Sequence, residues 1–182
     1  MGLKPQTGST RLTVKGDLKD AIVTVNGEYF YTNSPIIPEV SVTWNGTQLT
    51  KDTDYTVNYT DNTNVGNATV TVTGTGNYIS TKTGSFTIAP AQLNDATVKV
   101  NGTYTYTGQA QTPASNDVVV TLGGKTVPSD QYTISASDNM NAGQATATVT
   151  AKAGGNYTGS ASGKFTIALA SLNDAKVEVS GG

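Results

Sequence analysis

Ala68-Thr69-Val70-Thr71-Val72-Thr73 alternates small apolar and hydroxylic side chains without a break. At a period of two, Val70 and Val72 fall on one face and Thr69, Thr71 and Thr73 on the other. That is the signature of a half-buried strand, not of a helix. Moving outward, the same phase groups Tyr55 with Val57 and Tyr59, Val40 with Val42 and Trp44, and Phe86 with Ile88. Further on it returns in Val118, Val120 and Leu122, in Ala145, Ala147 and Val149, and in Phe165 and Ile167. No window carries the i, i+3, i+4, i+7 stripe of an amphipathic helix. Turn signals separate the runs: Asn26-Gly27, Asn45-Gly46, Gly74-Thr75-Gly76-Asn77, Asn101-Gly102 and Gly123-Gly124. The chain reads as all-β, with about six or seven short strands in each of two units. That points to Ig-like β-sandwich modules. A β-grasp-like variant is the rival, although it needs a helix across its sheet.

The division into units comes from an internal repeat. Leu18-Lys19-Asp20-Ala21 through Val25-Asn26-Gly27 returns as Leu93-Asn94-Asp95-Ala96 through Val100-Asn101-Gly102, and starts again at Leu172-Asn173-Asp174-Ala175. The expected organisation is therefore a tag or the remnant strand of a preceding unit over 1–17, repeat 1 over 18–92, and repeat 2 over 93–171. The first strand of a truncated third repeat is expected over 172–182, as if the chain were cut from a longer protein. The joints, Pro90-Ala91-Gln92 and Leu169-Ala170-Ser171, are short, and Pro90 stiffens the first. An elongated, semi-rigid monomer is expected.

Composition narrows the function classes. Among 182 residues the charged fraction is 13% and the net charge −2, and Thr is the most abundant residue. Thr suits an exposed pleated surface better than Lys or Glu does. With Arg11 the single arginine, there is no basic cluster to hold phosphates, so nucleic acid is not an expected partner. No apolar run approaches the length of a membrane-spanning helix. Cysteine and histidine are both absent, which removes disulfides, thiolate nucleophiles and imidazole metal sites.

The run Asp54-Tyr-Thr-Val-Asn-Tyr-Thr-Asp-Asn-Thr-Asn-Val-Gly66, continuing from Ala68 to Tyr78, resembles a repeat of bacterial surface proteins, the MBG type, an Ig-like or β-grasp-like module. Tyr31-Thr-Asn-Ser-Pro-Ile-Ile-Pro38 and Tyr106-Thr-Gly-Gln-Ala-Gln-Thr-Pro113 carry its opening, and the resemblance runs from Leu18 to Ala168. Repeat 2 departs at Gln131-Tyr-Thr-Ile-Ser-Ala136, which lacks the closing Tyr, and in an insertion at Ser115-Asn116-Asp117. The resemblance implies a spacer or adhesive stalk element, extracellular or attached to the cell wall, next to neighbouring repeats of its own protein.

Each candidate for chemistry has a plainer reading. Paired carboxylates hydrolyse glycosides, but Glu28 and Glu39 meet Thr103 and Ala114 in the second copy. Asp61-Asn62-Thr63-Asn64 with Gly66, and Asp138-Asn139-Met140-Asn141 with Gly143, look like calcium loops. Val72 and Val149 stand where an EF-hand needs its bidentate Glu, so Asx turns explain both. Trp44, and the pairs Tyr29/Tyr31 and Tyr104/Tyr106, are candidates for stacking on sugar rings, and equally for core packing. A Lys–Asn isopeptide bond needs a buried Lys that recurs, whereas Lys82 meets Ala161, Lys164 meets Ser85 and Lys51 meets Pro128. Asn-x-Thr triplets begin at Asn45, Asn58, Asn67, Asn101 and Asn156, as chance supplies in a chain rich in both residues. No catalytic, cofactor-binding or metal residue is assigned. The leading expectation is a non-enzymatic spacer. The alternatives are a module binding glycan, mucin or matrix protein, and an accessory domain of an extracellular carbohydrate-active enzyme.

Overall fold

The computed structural model describes residues 14–173 and 175–178. Among these the secondary structure is strand and short 3-10 turn, with no α-helix. The chain separates into two units between Ile88 and Ala89.

In unit 1 the strands are β1 (Gly16–Asp17), β2 (Ile22–Val25), β3 (Tyr29–Phe30), β4 (Val40–Trp44), β5 (Thr47–Gln48), β6 (Tyr55–Thr60), β7 (Gly66–Gly74), β8 (Tyr78–Ile79) and β9 (Thr81–Ala89). Unit 2 repeats this order one for one: β10 (Ala91–Gln92), β11 (Thr97–Val100), β12 (Tyr104–Thr105), β13 (Val118–Leu122), β14 (Lys125–Thr126), β15 (Tyr132–Ser137), β16 (Gly143–Ala151), β17 (Tyr157–Thr158) and β18 (Ser160–Ala168). The sequence pattern finds fewer strands because four in each unit are only two residues long, too short to show alternation.

Each unit holds a three-stranded sheet, β2-β4-β5 or β11-β13-β14, and a four-stranded sheet, β3-β9-β7-β6 or β12-β18-β16-β15. Register sets the faces. Val57 faces Val72 and Tyr59 faces Val70 across β6 and β7, while Ala68 faces Phe86 across β7 and β9. The resulting core of unit 1 joins Leu18, Val42, Tyr55, Val70, Val72, Phe86 and Ile88, with Val23 and Val25 of the other sheet packed against it. Burying an aliphatic side chain of this size contributes about 1.5–3 kcal/mol, so the alternation read in the sequence is also the main source of stability.

Asn45-Gly46 and Gly123-Gly124 close the β4–β5 and β13–β14 hairpins with both residues at positive φ, 47° and 77° in the first and 55° and 77° in the second. That is the mirror-image turn whose twist suits a two-residue hairpin. Asn26-Gly27 and Asn101-Gly102 do something else. They carry the chain from one sheet to the other, since β2 pairs with β4 while β3 lies beside β9. In unit 2 this crossing ends in a parallel pairing of Tyr104 with Ile167 and Thr105 with Ala168.

Gly16–Asp17, which the sequence reading places in a remnant of a preceding unit, pair in parallel with Tyr78–Ile79 of unit 1. Ala91–Gln92, read as the end of repeat 1, pair in the same way with Tyr157–Thr158 of unit 2. Two-residue parallel contacts leave no periodic mark, so the repeat anchor at Leu18 was the earliest visible start. Each such strand leads into a 3-10 turn, Leu18–Asp20 or Leu93–Asp95, whose leucine is fully buried. Ala175 N–H bonds Leu172 O at 3.0 Å, as Ala96 N–H bonds Leu93 O at 2.8 Å, but Leu172 is 83% exposed. No strand follows in residues 175–178. Asp174, residues 179–182 and residues 1–13 lie outside the described residues.

Candidate functional site

The two Asx loops hold equivalent places in the two units. Each lines an open concavity, about 470 Å³ over Asp61–Asn67 and about 370 Å³ over Asp138–Gln144. Asp61 and Asp138 take left-handed φ of 56° and 53° as the chain leaves β6 and β15. Asp tolerates that region because its short side chain bonds locally. The next residue reaches across the unit. Asn62 Nδ2 donates to Ile36 O at 2.8 Å, and Ile36 N–H donates back to Asn62 O at 2.8 Å. Asn139 and Gln111 exchange the same two bonds, each at 2.9 Å. The asparagine amide thus imitates a strand neighbour and latches the segment between β3 and β4, or between β12 and β13. Among the described residues no group of three or more acidic side chains comes together here or elsewhere, so the carboxylate charge a calcium site relies on is not gathered.

The aromatic candidates divide. Tyr29 stands edge-on to Phe86 at 5.1 Å between centroids, and Tyr104 to Phe165 at 5.0 Å. Both are packing residues in equivalent places. Trp44 is half-buried, edge-on to Tyr78 at 5.7 Å, and its Nε1 donates to Asp17 O at 2.9 Å. It pins β1 to the body of unit 1. Tyr31 packs against the core and donates to Asn33 Oδ1 at 2.8 Å. Its counterpart Tyr106 is 41% exposed, and Met140 on the loop latched beside it is 53% exposed.

Glu28 and Glu39 are both exposed. Two of the candidate lysines find simple partners: Lys82 Nζ donates to Lys19 O and Lys164 Nζ to Thr146 Oγ1, each at 2.7 Å. Among the described residues no charged side chain is buried, so the enclosed Lys-Asn-acid arrangement of an isopeptide bond is not assembled. Asp17 is held below the usual carboxylate range, first by the main-chain N–H of Lys19 and then by the Ser80 hydroxyl, a turn cap. Burial raises the Tyr55, Tyr59, Tyr104 and Tyr132 hydroxyls above the ordinary tyrosine range. Three of these tie one sheet or loop to another: Tyr55 donates to Val40 O, Tyr132 to Val118 O and Tyr59 to Pro38 O.

Two recurring features escaped the sequence reading. Gly84 and Gly163 sit at the same point of β9 and β18, each packed closely against the other sheet of its unit. A Cβ on Gly84 would lie 2.8 Å from Val23 Cγ1, and one on Gly163 would overlap the Val98 carbonyl oxygen, well inside van der Waals contact. The cross-sheet tyrosine bond is the second. In both cases the same residue type holds the same place in both copies, which was the available signal. No protein-family model matches the chain, and no curated protein is significantly similar to it.

Proposed function

We propose that this chain consists of two Ig-like modules acting as spacer or stalk repeats of a secreted or wall-attached bacterial surface protein. The observation that carries the reading is what recurs between the units. The buried leucine turns, cross-sheet tyrosines, asparagine latches and contact glycines are each present twice, and each serves to hold the module together. The candidates for chemistry, Glu28, Glu39, Trp44 and the lysines, each occur once. The passage of the chain from one sheet to the other, with parallel pairing beside the last strand in unit 2, supports the Ig-like form over a β-grasp, which needs a helix.

A spacer needs no ligand. The two-unit chain is expected to show no retention on a broad array of glycans, mucins and matrix proteins, and saturable binding to one class would overturn the reading. The exposed Tyr106 favours a second reading, in which unit 2 alone is a glycan-binding module. In that case Tyr106→Ala abolishes the retention while Tyr31→Ala leaves it intact.

A further inference from the structure

The longest edge strands among the described residues are β6 and β15, each six residues long and each terminal in its four-stranded sheet. An edge exposes unpaired N–H and C=O groups, and proteins normally blunt it with charge, proline, a bulge or short length. β6, Tyr55-Thr56-Val57-Asn58-Tyr59-Thr60, has none of these devices: it is uncharged, free of proline, and in unbroken register with β7. Its ends are occupied. Asp52 N–H donates to Tyr55 O at 2.8 Å, and the Ile36–Asn62 latch closes the other side of Thr60. Gly74, opposite Tyr55, sends its N–H away to Ser80 O, so Tyr55 directs its main-chain groups outward. Alternation then puts the N–H and C=O of Val57 and Tyr59 on the open edge.

We propose that β6 is a self-pairing edge, joining β6 of a second copy of this chain in antiparallel register about a two-fold axis through Asn58. In that register Val57 and the second copy's Tyr59 exchange both main-chain bonds, and symmetry repeats the exchange. One face then sets a β-branched residue against an aromatic one at both positions, a favourable cross-strand pair. On the outer face Thr56 meets Thr60 of the second copy, and Asn58 meets itself. A charge at Asn58 would face its own image. An amide there both donates and accepts, which makes it self-complementary. Thr56, Asn58 and Thr60 are all exposed and ready for contact. The β15 edge, with Ile134 against Ala136 about Ser135, offers less side chain and is the weaker candidate. The interaction is lateral, lies beyond the spacer reading and does not depend on it.

The chain's lack of cysteine gives a clean test. Asn58→Cys places two thiols across a non-hydrogen-bonded pair, at a spacing a disulfide accepts, so under mild oxidation it should cross-link about tenfold faster than Thr83→Cys, an exposed site on the same face away from the axis. Sedimentation velocity on the cysteine-free chain should show concentration-dependent association that Asn58→Lys abolishes, with circular dichroism and Trp44 fluorescence unchanged. Equal cross-linking rates would overturn the proposal. So would association that survives Asn58→Lys, or a monomer at every concentration.

Discussion

Unit 1 fills its core with Val70, Tyr59 and Trp44, where unit 2 has Ala147, Ala136 and Leu122. The strand order and register are nevertheless the same. The lesson is that these folds are specified by where backbones must touch or be bonded, and that the side chains filling the remaining volume are negotiable. A contact glycine or latch asparagine has one solution, whereas a core position accepts Val or Ala if its neighbours adjust.

The contact glycines give the largest test. Gly163→Ala drives a methyl into the Val98 carbonyl, and backbone cannot step aside, so unit 2 should lose about 3 kcal/mol or fail to fold. Gly84→Ala meets the Val23 side chain, which can shift, and should cost unit 1 about 1–2 kcal/mol. Urea unfolding separates the units, because Trp44, the only tryptophan, reports on unit 1 while circular dichroism reports on both. Equal costs would mean that the sheets approach each other alike in the two copies.

Next comes the fill itself. Val70→Ala makes unit 1 resemble unit 2 at a fully buried position and should cost about 2 kcal/mol through lost burial and the void left behind. The reverse change, Ala147→Val, should not return that amount, because the surroundings of Ala147 are already closed around the smaller residue.

The latches rank third. Asn62→Ala and Asn139→Ala each remove one side-chain bond to a carbonyl and should cost about 1 kcal/mol apiece, by the same urea assay. Similar values in both units would sharpen the claim that the latch belongs to the scaffold. The smallest effect is with pH. A tyrosine hydroxyl raised by burial binds its proton more tightly in the folded state. Its contribution is complete below the unfolded value of about 10 and is lost as pH rises through the folded value. Tyr55 and Tyr132 give both units this alkaline weakness, and Tyr59→Phe should reduce it in unit 1 alone.

Much of this was legible in the sequence. The alternation at Ala68–Thr73, the hairpin glycines at 46 and 124 and the buried phase of Phe86 and Ile88 are local consequences of a pleated backbone, and each appears where its pattern puts it. Contacts that depend on distant segments were not legible. Gly16–Asp17 finds Tyr78–Ile79 across most of a unit, and Asn62 finds Ile36 through a side chain that reads locally as a turn residue. Trp44 was in the right phase for the core, but its role in holding β1 rests on a bond to Asp17 that no periodicity encodes. The structure also shows why the Asx loops pass for ligand sites: latching a neighbouring segment calls for the same short polar side chains as binding an ion.

The proposal that these units serve as consecutive spacer elements is tested most directly by the size of the chain in solution. Small-angle X-ray scattering, extrapolated to infinite dilution to exclude self-association, should give a radius of gyration of at least about 22 Å, as for two modules placed end to end. The same chain folded into one globule would give about 16 Å, and a value near that figure would contradict the account.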